Sequence, residues 1–114
     1  MTWKLKRTRQ CAKCPWQIAV NPHDIPDGYS EEAHAALADT IAKPDAPLDL
    51  TAPLRVMACH ETVVGDETHC VGWLAHQLGR GNNIMLRLAM HNCENVHKIR
   101  TIGPQHQTFE DTLP

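Results

Sequence analysis

Five cysteines and eight histidines are the residues of this 114-residue chain best equipped for chemistry. Two cysteines stand three positions apart in "RTRQCAKCPW", with Pro15 and Trp16 directly behind Cys14. A Cys-x2-Cys turn lets two thiolates reach one metal ion at about 2.3 Å without strain. Further along come Cys59 with His60, then His69 with Cys70, and later Cys93. A four-thiolate site built from Cys11, Cys14, Cys59 and Cys70 is the leading reading. His60 or His69 could replace one of the second pair, and Cys93 is an alternative fourth ligand. Zinc suits such a set. A [4Fe-4S] cluster is the alternative, because clusters also use four cysteines and one is often followed by proline, as Cys14 is.

Other chemistries fit less well. A thioredoxin-like dithiol needs a helix after its cysteines, and Pro15, Pro22 and Pro26 interrupt one here. A deaminase site needs His-x-Glu followed by Pro-Cys-x-x-Cys, whereas His60 and Glu61 are adjacent and the cysteine pair comes first. No His-Glu-x-x-His, phosphate-binding glycine loop or Gly-x-Ser-x-Gly elbow occurs. No catalytic residue is assigned, and a closed four-ligand site is structural by its coordination.

The elements that must position these residues give an α+β reading: one small domain over 1–114, about three helices and short strands, stapled by the cysteine-rich metal site. Residues 3–6 alternate as a short strand, with Trp3 and Leu5 on one face. Ser30 caps a helix to about Ala42, with Ala33, Leu37 and Ile41 on one side. "LRVMACH" reads as a strand ending at the second cysteine group. A second helix starts near Asp66 or Thr68 and ends at Gly79, placing Cys70, Leu74 and Leu78 on a buried stripe. Gly72 inside it costs about 1 kcal/mol relative to alanine, which suggests close approach of the Cys11–Trp16 loop, with Trp16 and Trp73 covering the thiolates. Asn82 caps a third helix whose inward residues are Ile84, Met85, Leu88 and Ala89. The tail, 103–114, reads as loosely held.

Composition bounds the function. With only 4% aromatic residues the core gains from a staple. The net charge is −2 with pI near 6.4, so no global footprint for nucleic acid exists. Locally, the basic segment 1–10 carries Lys4, Lys6, Arg7 and Arg9, candidate nucleic-acid contacts. No apolar run approaches the length of a membrane span and no secretory signal is evident, so a cytoplasmic protein is expected.

"CAKCPW", "MACHET" and "CVGWLAHQLGRGNN…RLA" together resemble a family of small bacterial and bacteriophage proteins of unknown function. Its pattern is Cys-x2-Cys-Pro-Trp, then Ala-Cys-His, then Cys-x-Gly-Trp-Leu, matched from Cys11 to about Ala89. Gln17 stands where the family often has arginine. The resemblance implies that Cys11, Cys14, Cys59, His60, Cys70, Gly72 and Trp73 belong to one site, in a bacterial or phage setting. The functional expectation is a zinc-binding module acting on a protein or nucleic-acid partner, with an iron-sulfur protein or thiol-based redox sensor or enzyme as the alternative.

Overall fold

A serine, a cysteine and an asparagine stand at the starts of the three α-helices among the described residues. A computed structural model describes residues 2–25, 29–43, 54–60 and 68–114. Helix α1 (Glu31–Ala36) begins at Ser30, whose hydroxyl accepts from the Ala33 N–H, with Glu31 and Glu32 at the positive end of the helix. It does not run to Ala42. The chain tightens into a 3-10 turn, Leu37–Thr40, where the Thr40 hydroxyl donates back to the Leu37 carbonyl at 2.7 Å. His34, rather than Ala33, is the buried residue of α1.

Helix α2 (Val71–Leu78) starts at Cys70, later than expected. Residues ahead of it are engaged elsewhere: the Cys59 N–H donates to the Thr68 carbonyl (2.7 Å) and the Cys70 N–H to Met57 (2.8 Å), around an antiparallel bridge of Ala58 with His69. A start at Asp66 lies outside the described residues. Helix α3 (Ile84–Ala89) is capped by Asn83, which accepts from the Leu86 N–H; Asn82 instead takes a left-handed turn conformation, φ 44°. The inward face is also different. Leu86 and Met90 are buried while Ile84 and Leu88 are 46% and 56% exposed. The cap sets the phase: buried Asn83 donates to Gln77 Oε1 (2.9 Å), so the stripe Asn83, Leu86, Met90 turns to the core.

Strand structure among the described residues reduces to isolated bridges. Trp3 with Cys93 and Arg9 with Arg100 are parallel; Gln17 with Gln105 is antiparallel. The first segment alternates as its sequence suggests, with Leu5 buried and Lys4 and Lys6 exposed. Residues 2–18 are zipped along residues 92–106. Their bonds include Trp3 N–H to Asn92, Gln10 N–H to Arg100, Ile18 N–H to Pro104 and His106 N–H to Trp16. Residues 103–114 are therefore not a loose tail: Phe109 (3% exposed) and Thr112 (1%) belong to the interior, because Phe109 fills space beside Trp16 and His34.

The core gathers Trp16, Trp73, Leu74, Leu86, Phe109 and the five cysteines. A Cα radius of gyration of 13.8 Å matches the roughly 13 Å of one compact domain this long. Gln77, fully buried, ties helices together through Ala42 N–H and Asn83. Among the described residues no helix is long and apolar enough to cross a membrane.

Candidate metal centre

The Cys11–Cys14 turn is held by its neighbours. Cys14 N–H donates to the Cys11 carbonyl (3.3 Å), and Gln17 N–H to that of Cys14 (3.1 Å). The Gln17 side chain then reaches back, its Nε2 donating to the carbonyls of Cys11 (2.8 Å) and Ala12 (3.2 Å). This clamps the turn from inside, since Gln17 is buried. Gln10 performs the matching task on the other side. It forms a reciprocal amide pair with Gln105 (2.7 and 3.0 Å) and accepts the Ile102 N–H at 2.7 Å.

Two pairs of donors result. Cys14 Sγ, fully buried, lies 3.7 Å from Cys70 Sγ, and Cys11 Sγ lies 3.2 Å from His60 Nε2. Cys70 is the N-cap of α2 but gives its helix no side-chain hydrogen bond, so its sulfur is left for Cys14. A hydrogen bond with Cys11 lowers the Cys14 pKa, but the bond to Cys70, burial and the Cys70 charge outweigh it and push the thiol up to about 12. The four donors form a chain of contacts, His60 to Cys11 to Cys14 to Cys70. Among the described residues no three His, Cys, Asp or Glu side chains form a cage able to hold a metal ion as they stand.

The other candidates are placed as follows. Cys59 is buried in the same apolar cluster, and His60 beside it contacts Cys11. His69 points its ring at Trp3, centroids 6.1 Å apart, and burial lowers its pKa. Cys93 lies opposite Trp3 and donates its thiol to Asn95 Oδ1 at 3.4 Å. Its position and that of His69 follow from the bridges that hold them, Trp3 with Cys93 and Ala58 with His69.

Gly72 explains the closeness of loop and helix. A Cβ built there would lie 2.7 Å from Gln10 Nε2 and 2.8 Å from both Cys14 Sγ and Trp16 Cβ, closer than real Cβ atoms come. Trp16 stacks on His76 (centroids 4.5 Å apart, 26° between planes) and leans on Phe109. Its indole N–H and His60 Nδ1 are buried without a hydrogen-bond partner among the described residues. Trp73, fully buried, donates to the Thr40 carbonyl at 3.0 Å. A cavity of about 240 Å³ adjoins the donors, lined by Tyr29, His34, Met57, His60 and Cys70 among others.

The profile of one family matches residues 6–111, nearly the whole described span. The chain belongs to the family of unknown function DUF6283. Comparison with curated proteins and with solved structures returns no match. Membership bears out the resemblance to a family of unknown function, and it brings no activity with it. Sequence reasoning missed Gln10, Gln17 and Gln77. Single glutamines carry no periodicity, and the only hint was that Gln10 and Gln17 flank the cysteine turn.

Proposed function

We propose that this chain is a small binding module whose fold is closed by one zinc ion, with Cys11, Cys14, Cys70 and His60 as ligands. The observation that carries the reading is the pairing of donors at 3.7 Å (Cys14 with Cys70) and 3.2 Å (Cys11 with His60). Bond lengths of about 2.3 Å to sulfur and about 2.0 Å to nitrogen make the tetrahedron edges about 3.8 Å between sulfurs and about 3.5 Å between sulfur and nitrogen. Both pairs are close to those lengths. When bound, zinc would neutralise the thiolates and cross-link the first turn to the start of α2. The chain's own residues shape the place for it: Gln17 fixes the turn, Gly72 admits Cys14 to the helix, and Trp16 excludes water.

A [4Fe-4S] cluster fits the spacing less well, because its four thiolates bind four different irons and stand farther apart than donors sharing one ion. The reactive-thiol reading is weakened by burial, since Cys14 is fully covered and only a thiolate is nucleophilic. Cys59 is the alternative to His60 as fourth ligand. With four protein ligands the ion has no open position for water, so its task is to hold a surface for a protein or nucleic-acid partner.

Elemental analysis of purified protein tests this. One zinc per chain is expected, lost in Cys14→Ser and His60→Ala and kept in Cys93→Ser. Iron in place of zinc, or no metal at all, overturns the assignment; retention in His60→Ala with loss in Cys59→Ser transfers the fourth position to Cys59.

A further inference from the structure

Charge in this protein is sorted by segment. The net charge is −2, yet seven of the eleven lysines and arginines fall in two stretches, 2–13 and 93–100. Lys4, Lys6, Arg7, Arg9 and Lys13 come from the first, Lys98 and Arg100 from the second, and Glu94 is the one carboxylate in either. The fold lays the two stretches side by side. Parallel bridges join Trp3 to Cys93 and Arg9 to Arg100, and the latter is locked by Gln10 N–H to Arg100 (2.9 Å) and Arg100 N–H to Thr8 (2.8 Å). Apart from half-buried Arg7 these cations are exposed.

The bridge sets two arginines directly across from each other. Two like charges held this near to one another repel. Glu94 reaches Lys4 at 3.9 Å, but among the described residues neither Arg9 nor Arg100 meets a carboxylate. Arg100 donates instead to the carbonyls of His97 and Ile99. The arrangement becomes favourable when an outside anion lies between the two guanidinium groups.

We infer that this two-segment ribbon binds the phosphodiester backbone of a nucleic acid, with Arg9 and Arg100 at its centre and Lys6, Lys13 and Lys98 around them. The inference rests on the binding-module reading and is independent of the metal. Lys13 stands in the Cys11–Cys14 turn and Lys98 in the 3-10 turn Val96–Lys98, so the exposed cations flank the Arg9–Arg100 bridge from both segments, and such a cluster suits neighbouring phosphates of one backbone. A phospholipid surface suits it less: no large apolar side chain is exposed in either stretch to enter the acyl boundary. Contacts of this kind fix position without reading bases, so binding tolerates any sequence.

Fluorescence anisotropy of the full chain with a labelled mixed-sequence single strand and the matching duplex tests the inference. With about five cations engaged, affinity for the single strand falls about 100-fold between 50 and 200 mM salt. Arg9→Glu gives Arg100 an internal partner, so this variant keeps or gains stability while its affinity falls at least about tenfold. The double variant Arg9→Glu/Lys98→Glu loses more, and Arg55→Glu, outside the ribbon, changes little. No binding by the native chain at low salt overturns the proposal, as does binding that ignores Arg9→Glu or that occurs only with phosphatidylserine vesicles. Zinc content measured on the same samples keeps a failure here distinct from a failure of the metal assignment.

Discussion

Gly72→Ala separates close packing at the site from ordinary helix behaviour, because the two act in opposite directions. In a free helix the change to alanine stabilises by about 1 kcal/mol. Here the new methyl meets three atoms inside 3.0 Å: Gln10 Nε2 at 2.7 Å, with Cys14 Sγ and Trp16 Cβ at 2.8 Å. None is the free end of a mobile side chain. Gln10 is held by Gln105, Cys14 sits against Cys70, and Trp16 is wedged between His76 and Phe109. Overpacking of this kind costs about 3 kcal/mol at the upper end of its range. Subtracting the propensity gain leaves a net loss of about 2 kcal/mol. With a urea slope of about 1.5 kcal/mol per molar, the unfolding midpoint falls by about 1.3 M. Ala35→Gly on the exposed side of α1 reports the propensity effect alone, a loss of about 1 kcal/mol. Equilibrium urea unfolding followed by tryptophan fluorescence gives both values. A Gly72→Ala midpoint equal to or above that of the native chain refutes the reasoning.

Three further outcomes are expected. His34 is neutral in the fold: the Thr112 hydroxyl already donates to the Phe109 carbonyl, so it accepts from His34 Nε2, and Nδ1 accepts from Tyr29. Burial lowers its pKa from 6.5, so the unfolded chain takes up the proton first; the stability from His34 is present above pH 6.5 and lost as pH falls towards the folded-state pKa. Urea midpoints at pH 7.5 and 5.5 should differ less in His34→Gln, and an unchanged difference assigns the effect elsewhere. Gln10→Leu strands the Ile102 N–H and takes the donor from Gln105 Oε1, while the Gln105 amide N–H groups keep the carbonyls of Ile102 and Gly103; the cost is about 2 kcal/mol, lowering Tm by about 8 °C in a thermal melt. Cys93, 8% exposed, should resist iodoacetamide in the native state, whereas all five cysteines react in urea; rapid native modification at Cys93, located by mass spectrometry, contradicts its placement.

The close approach of the cysteine turn to α2 was more legible than the architecture around it. Cysteine spacing and the interior glycine of "CVGW" pointed at one another because each is a local departure from what its surroundings favour, and Gly72 does meet Cys14 and Trp16. Ser30 as a cap was readable for the same reason. The face of α3 was not. Six residues offering Ile84, Met85, Leu86 and Leu88 suit several registers, and the choice fell to the buried amide pair of Asn83 and Gln77. Strand expectations gave way to isolated bridges because the pairing of 2–18 with 92–106 is irregular, using side chains such as Asn95, which bonds both backbone groups of Leu5. Pairing across about ninety positions leaves no trace in local pattern, and this also hid the packing of Phe109 and Thr112.

The amide pair of Gln10 with Gln105 spans 95 positions of the chain. Contacts that distant are closed late and slowly, because the entropy of the loop must be given up before they form. During synthesis on a ribosome, Cys11 and Cys14 emerge early, yet the groove that seats them is incomplete until residue 105 has been made. The two thiols therefore wait, after they emerge, for a partner segment made 95 positions later than Gln10 before their seat is complete.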